Sequence, residues 1–335
     1  DVEWEPVLRM VGDRRERARA ELFLAMHVSD VPTGQELTRR ALATFREVGD
    51  RWGIAAALGR RARDAFTRRD VEALERDAEE SARLFTELGD RWGLLRATEW
   101  LASLAEMAND AERANRLFAE GLRMAEDLGL WPEVATRTAW LGWIALLSGD
   151  YERAIEVCEP AMKLAAGQGY KEGETMAEMC IAFAARRAGR LDLAERHLHH
   201  LLEWVSRDPD VEPAVHLADT LIEFGYLTQL RGDPAGAMEL QVEAMAAARR
   251  IGDPRTLAGA VEGAASAAGP TETAARLLGL AAAARETNGT PAGPSEQEDI
   301  ERVTTRVREA LGEEAFAAAY AQGATYKLDD APDLL

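Results

Sequence analysis

The chain has 335 residues, 47% hydrophobic, 30% charged and 6% aromatic, the proportions of a well-cored globular protein and of neither a disordered nor a fibrous one. Forty basic against 59 acidic residues leave a formal charge of −19, which repels a phosphate backbone and argues against nucleic-acid contact by this segment. The two cysteines, Cys158 and Cys180, are too few for a disulfide framework or a zinc site, and no apolar run is long enough to span a bilayer or act as a signal peptide, so a cytoplasmic location is expected.

Asp1-Val2-Glu3-Trp4 does not resemble a native start, and the expectation is a fragment of a longer polypeptide. From about Asp13 onward the chain repeats itself. Glu47-Val48-Gly49-Asp50-Arg51-Trp52-Gly53 returns forty residues later as Glu87-Leu88-Gly89-Asp90-Arg91-Trp92-Gly93, and the glycine recurs at Gly129 and Gly169, then at Gly252 and Gly289. A second marker runs out of phase with the first: Asp30, Asp70, Asp110 and Asp150, continued by Gly189, Gly232-Asp233 and Gly269-Pro270. A period of this size is the signature of a repeat architecture. Two turn signals per period leave segments of about seventeen residues, about 25 Å each if helical.

The segments read as helices. Tyr151, Ala154, Ile155, Cys158, Ala161, Met162 and Ala165 recur at three- and four-residue steps, one stripe of a helix, whereas strand alternation is missing. Each terminal glycine suits a left-handed helix end, and the following aspartate can accept from the free amides of the next helix. The fold class predicted is all-α: a solenoid of six to seven antiparallel helix pairs over residues 1–289, stacked as a right-handed superhelix. The breaker Thr290-Pro291-Ala292-Gly293-Pro294 introduces a C-terminal helical cap and tail over 290–335, with helices to Leu311 and from Glu313 to Ala321, and a frayed end from Leu328 to Leu335.

Within a unit, Leu141-Gly142, Gly149-Asp150-Tyr151, Ala154 and Ala161 resemble the small-residue positions of the tetratricopeptide repeat, with Ala102, Ala114, Ala182, Ala194, Ala237 and Ala244 at matching places. The phrase Thr44 to Gly53, its copy from Leu84 to Gly93, and the ending Ala274-Ala275-Arg276-Leu277-Leu278-Gly279 through Leu311-Gly312-Glu313-Glu314-Ala315-Phe316 to Gly323 resemble a wider family. It is the C-terminal region of large ATP-binding actinobacterial transcriptional regulators, of the Streptomyces antibiotic regulatory protein and LuxR-like groups. The resemblance implies a sensor arm joined to a STAND-type ATPase and a DNA-binding domain. Its partners would be the other domains of the same regulator and a protein, peptide or small-molecule effector, with homo-oligomerisation open. None of Lys163, Lys171 or Lys327 follows the glycine pattern of a phosphate-binding loop, so ATP chemistry is expected upstream, with no catalytic residue, cofactor or metal in this chain. The alternatives are a freestanding scaffold or adaptor and a peptide-pheromone receptor.

In a tetratricopeptide array the first helix of each pair lines the groove. That register sends Arg60 and Arg63, then Glu99, Trp100, Ser103 and Glu106, then Trp140 and Trp143, then Met179, Phe183, Arg186 and Arg187, then Glu223 and Tyr226 toward the ligand. The ligand-binding candidates are Arg60, Arg63, Trp100, Trp140, Trp143, Phe183, Arg186, Arg187 and Tyr226. Aromatics flanked by arginines can hold an amphipathic helix, an acidic peptide or a flat ligand, although aromatics at helical spacing are usually packed between helices. Trp52 and Trp92, in equivalent places, are expected to wedge against the preceding helix. His197 and His200 are one turn apart but have no third metal ligand at a compelling spacing. The acids Glu296, Glu298, Asp299, Glu301, Glu309, Glu313 and Glu314 read as a solvated face or as a surface for a basic domain.

Overall fold

The computed structural model describes residues 4–28, 30–68, 70–108, 110–203 and 216–335; the stretch 204–215 of the expected solenoid lies outside them. The described residues form seventeen α-helices and no strand. They are α1 (Trp4–Met10), α2 (Arg14–His27), α3 (Val31–Val48), α4 (Arg51–Thr67), α5 (Val71–Leu88), α6 (Arg91–Met107), α7 (Ala111–Asp127), α8 (Trp131–Leu147) and α9 (Tyr151–Gly167). There follow α10 (Lys171–Arg187), α11 (Leu191–Glu203), α12 (Leu217–Leu230), α13 (Pro234–Ile251), α14 (Pro254–Ala267), α15 (Glu272–Asn288), α16 (Pro294–Leu311) and α17 (Glu313–Gly323). The all-α, tetratricopeptide-like repeat read from the sequence is the fold observed.

The repeated aspartates are helix caps. Asp50, Asp70, Asp90, Asp110 and Asp150 each accept from the backbone amide three residues on, worth about 1 kcal/mol per helix. Gly49 and Gly89 close α3 and α5 at φ 68°, where a Cβ would clash. The phrase that recurs after forty residues has a packing reason as well: Cβ atoms at Gly53 and Gly93 would overlap the rings of Phe45 and Phe85. Those glycines let each ring sit under the first turn of the following helix.

Close contacts divide the chain into two compact units, residues 1–141 and 142–335. In the first, α2/α3, α4/α5 and α6/α7 are antiparallel pairs, and the first helices of successive pairs also touch, α2 on α4 and α4 on α6. Its core gathers Leu22, Leu42, Phe45, Leu58, Leu84 and Phe85, with alanines where helices cross. In the second, the pairs α10/α11, α12/α13 and α14/α15 stack, with α10, α12 and α14 forming the row of first helices. Its core runs from Leu217 and Leu221 through Val261, Leu277 and Leu278 to Val303, Val307 and Phe316.

The C-terminus differs from expectation. Leu328–Leu334 forms a 3₁₀ helix that packs on α14 and α15, with Ala331 buried. Asp330 accepts from the Lys327 amide at 3.0 Å, and the Asp329 carbonyl accepts from Arg249 at 2.5 Å. One buried alanine, a local cap and a bond from α13 order a segment whose composition reads as a frayed tail.

Candidate ligand-binding faces

In the first unit the first-helix candidates fall on α4, α6 and α8. Arg60 is engaged internally, paired with Asp64 and donating to the Ala25 carbonyl from Nε and Nη2 at 3.3 and 3.2 Å. Arg63 is exposed. Trp100 is half-buried, its ring 5.9 Å from that of Phe66 and tilted by 45°. Trp140 stacks on the buried Phe118 of α7, ring centres 5.1 Å apart and 6° from parallel. One face of its ring is therefore covered by the helix behind it, and the residue as a whole is half-buried. Of the four, Arg63 is exposed, and Trp100 and Trp140 are partly accessible to a ligand.

Spacing alone did not single out Arg137. It lies fully buried on α8, and its Nη2 donates to the Leu95 carbonyl and to Glu99, both at 3.1 Å. Gly121 leaves room for its side chain.

In the second unit Trp143 and Phe183 pack with ring centres 5.8 Å apart, and Phe183 and Met179 are buried. Arg186, expected in an open groove, is instead 2% exposed. Its Nε donates to Glu223 of α12 at 2.5 Å, while Nη1 and Nη2 reach both oxygens of Asp299 of α16 at 3.1 and 2.5 Å. The guanidinium also lies over the Tyr226 ring, 4.9 Å from its centre. Arg187 pairs with Glu223 at 2.8 Å and donates to the Phe183 carbonyl at 3.2 Å.

Burial would raise the Asp299 carboxyl, but the charges of Arg186, Arg187 and Arg302 outweigh it and hold the group well below the ordinary carboxylate range. Tyr226 moves the other way. Burial, with Asp299 and Glu262 nearby, pushes its hydroxyl well above the usual value. This face thus presents fixed cations and receives carboxylates bidentately, the strongest form of side-chain hydrogen bond.

The acids of the C-terminal segment are the partners that periodicity missed. Glu296 meets Arg255 at 3.3 Å and Arg285 at 3.7 Å, Tyr151 donates to Glu298, and Asp299 meets Arg186. Asp299 is buried and Glu296 half-buried, so these two are not a solvated face, whereas Glu298 stays exposed. Glu296 and Asp299 meet the chain's own arginines and Glu298 a tyrosine hydroxyl, because α16 runs alongside α14 and reaches α10 by its side chains. Glu301, by contrast, accepts only locally, from Gln297 at 3.1 Å.

The two equivalent tryptophans meet different surroundings, and the histidines meet a carboxylate. Trp52 reaches forward, donating from Nε1 to Asp90 at 2.6 Å and meeting the Phe85 ring edge-on. Trp92 is exposed, because Leu130 stands where the next capping aspartate would have to accept. His197 and His200 both direct Nδ1 at the buried Glu178, at 2.9 and 2.7 Å, and His199 packs edge-on against Phe224.

No family model matches the chain, and no curated protein sequence matches it. Solved structures do share its fold. NprR in complex with its cognate peptide NprX is 14% identical, with 93% of this chain and 82% of that one aligned at a TM-score of 0.55. The Rap conjugation regulator of plasmid pLS20, in complex with the Phr* peptide, is 12% identical over 93% and 96% of the two chains, at 0.56. A STAND protein with a tetratricopeptide repeat sensor from Pyrococcus horikoshii is 14% identical, at 0.54, with 96% of this chain on 46% of that one. At these identities the likeness establishes the helical-repeat fold.

Proposed function

We propose that this chain is a peptide-sensing helical-repeat domain, the sensor arm of a larger ATP-dependent transcriptional regulator. Its role is binding, with ATP hydrolysis and DNA contact in modules outside it. The observation that carries the reading is the first-helix row of the second unit, where Arg186 of α10 and Arg255 of α14 hold the Asp299 and Glu296 carboxylates of the helical segment α16 by side-chain pairs. A surface that grips one helix by alternate side chains is built to recognise polypeptide. Three comparisons support it: NprR and Rap are seen with peptides, and the Pyrococcus protein places such an array beside a STAND ATPase. The SARP and LuxR-like context rests on the sequence resemblance. An effector that binds one state of the domain better than the other would shift the regulator between them.

The test uses the full reading frame in its host with a transcriptional reporter. The paired change Arg63→Glu and Trp100→Ala, on the open face of the first unit, is expected to cut the response to host culture medium by roughly tenfold, a loss of about 1.4 kcal/mol of binding, at unchanged helicity. An unchanged response would sink the sensor reading. A frame that encodes no ATPase and no DNA-binding domain would replace the regulator with a scaffold.

A further inference from the structure

The helix α16 leaves the repeat. In earlier pairs a first helix packs on the second helix before it, as α14 does on α13. At the end of the chain that place on α15 is taken by α17. The two backbones approach so closely that a Cβ at Gly279 would overlap the Tyr320 carbonyl, and one at Gly323 the Arg276 carbonyl. By contrast α16 buries only Ser295, Asp299, Val303 and Val307. It is bounded by Gly289 and Gly312, both with positive φ, and by Pro291 and Pro294.

We propose that α16 is a built-in, exchangeable occupant of a receptor surface for acidic helical segments, and that an external segment of the same chemistry displaces it. This rests on the reading that the domain senses polypeptide. The chemistry of the external segment is set by what α16 offers: carboxylates matching Glu296, Glu298 and Asp299, followed by apolar residues one and two turns beyond the last, matching Val303 and Val307. Its counterparts are Arg255 and Arg285 for the first carboxylate, the Tyr151 hydroxyl for the second, and Arg186 for the third.

Exchange is feasible because the hold on α16 is mainly polar. Desolvation offsets most of what a buried ion pair gains, which leaves two valines and the flanking Ile300 and Leu311 as its net apolar anchorage. The basic groups it releases are not stranded when a second acidic helix replaces it. The tether raises the local concentration of α16 to roughly millimolar, so a free segment competes poorly with the intact chain and well with one whose α16 is weakened.

The experiment uses the whole 335-residue chain and a fluorescein-labelled peptide with the sequence of residues 293–311. Hydrogen exchange of the unaltered chain is expected to show amides of α16 opening roughly tenfold or more faster than those of α15 and α17, as a separately opening segment does. In fluorescence anisotropy the peptide is expected to bind a chain carrying Asp299→Ala and Val303→Ala roughly tenfold or more tighter than the unaltered chain, because the tethered competitor is weakened. A peptide carrying the same two changes is expected to lose that binding. Exchange of α16 as slow as that of α15, or absence of peptide binding to both chains, overturns the proposal; the first readout stands even where the variant misfolds. Neither readout uses the effector or transcription. Peptide exchange alongside an indifferent reporter would therefore refute the sensor reading and leave this one in place.

Discussion

Replacing Arg186 with methionine tests the central geometry of the second unit. The side chain is 2% exposed and its partners Glu223 and Asp299 are 5% and 4% exposed, so Arg186→Met leaves two carboxylates out of water without their shared cation. Removing one partner of a buried pair costs about 3–5 kcal/mol. Arg187 at 2.8 Å from Glu223 and Arg302 at 2.6 Å from Asp299 remain, which places the loss near the lower end, about 3 kcal/mol. At roughly 2–4 °C per kcal/mol for a unit of this size, the melting temperature falls by roughly 6–12 °C.

The pH dependence supplies the second half of the test. In the unaltered chain Asp299 sits below its ordinary range, so its stabilisation is complete above the unfolded carboxylate value and is lost only as pH falls below it. In the variant the largest lowering charge is gone while Arg187 and Arg302 remain, so the carboxyl is held down less and contributes less of this pH-dependent stabilisation. The unaltered chain loses its advantage as pH falls below the unfolded carboxylate value, so the deficit should narrow between about pH 5 and pH 3. Thermal unfolding followed by circular dichroism at both pH values measures it. A shift under about 2 °C, within the range of an ordinary surface change, or a deficit independent of pH, would refute the buried-cation account. The result also bears on a simple functional use of this residue: truncating Arg186 perturbs the fold first and any ligand second.

Two further outcomes follow from packing and charge. Gly279→Ala places a methyl against the Tyr320 carbonyl, and because backbone cannot yield as a side chain can, a loss of about 1–3 kcal/mol is expected in urea unfolding; a neutral result would mean that α17 does not pack on α15 this closely. Burial and the neighbouring Asp253 push the Asp219 carboxyl up to about 7. The folded state then holds a proton that the unfolded state releases near pH 4, so this group makes stability fall as pH rises from about 4 to about 7. Asp219→Asn, still able to accept from Thr256, is expected to stabilise the chain at pH 7.5 and to change little at pH 4; equal effects at both would contradict the shifted carboxyl.

The helices and their repeat follow from short-range chemistry that is legible residue by residue. Asp50, Asp90, Gly49 and Gly89 act within a few residues of their own positions, and the forces they exert, a capped amide or a permitted left-handed φ, are local. A period of forty therefore translated directly into paired helices. Residue type also announced that carboxylates and arginines would matter. Which of them meet was decided by tertiary structure. Arg186 and Asp299 are 113 residues apart, and nothing in periodicity says that α16 leaves the stack to meet α10 and α14.

The same reason separates Trp52 from Trp92. Their local phrases match, yet Trp52 finds Asp90 as an acceptor forty residues ahead, and Trp92 finds Leu130 and stays exposed. Repetition specifies the backbone of each unit through short-range terms. The fate of a side chain depends on what the neighbouring unit places opposite it, and that is a property of the packed array.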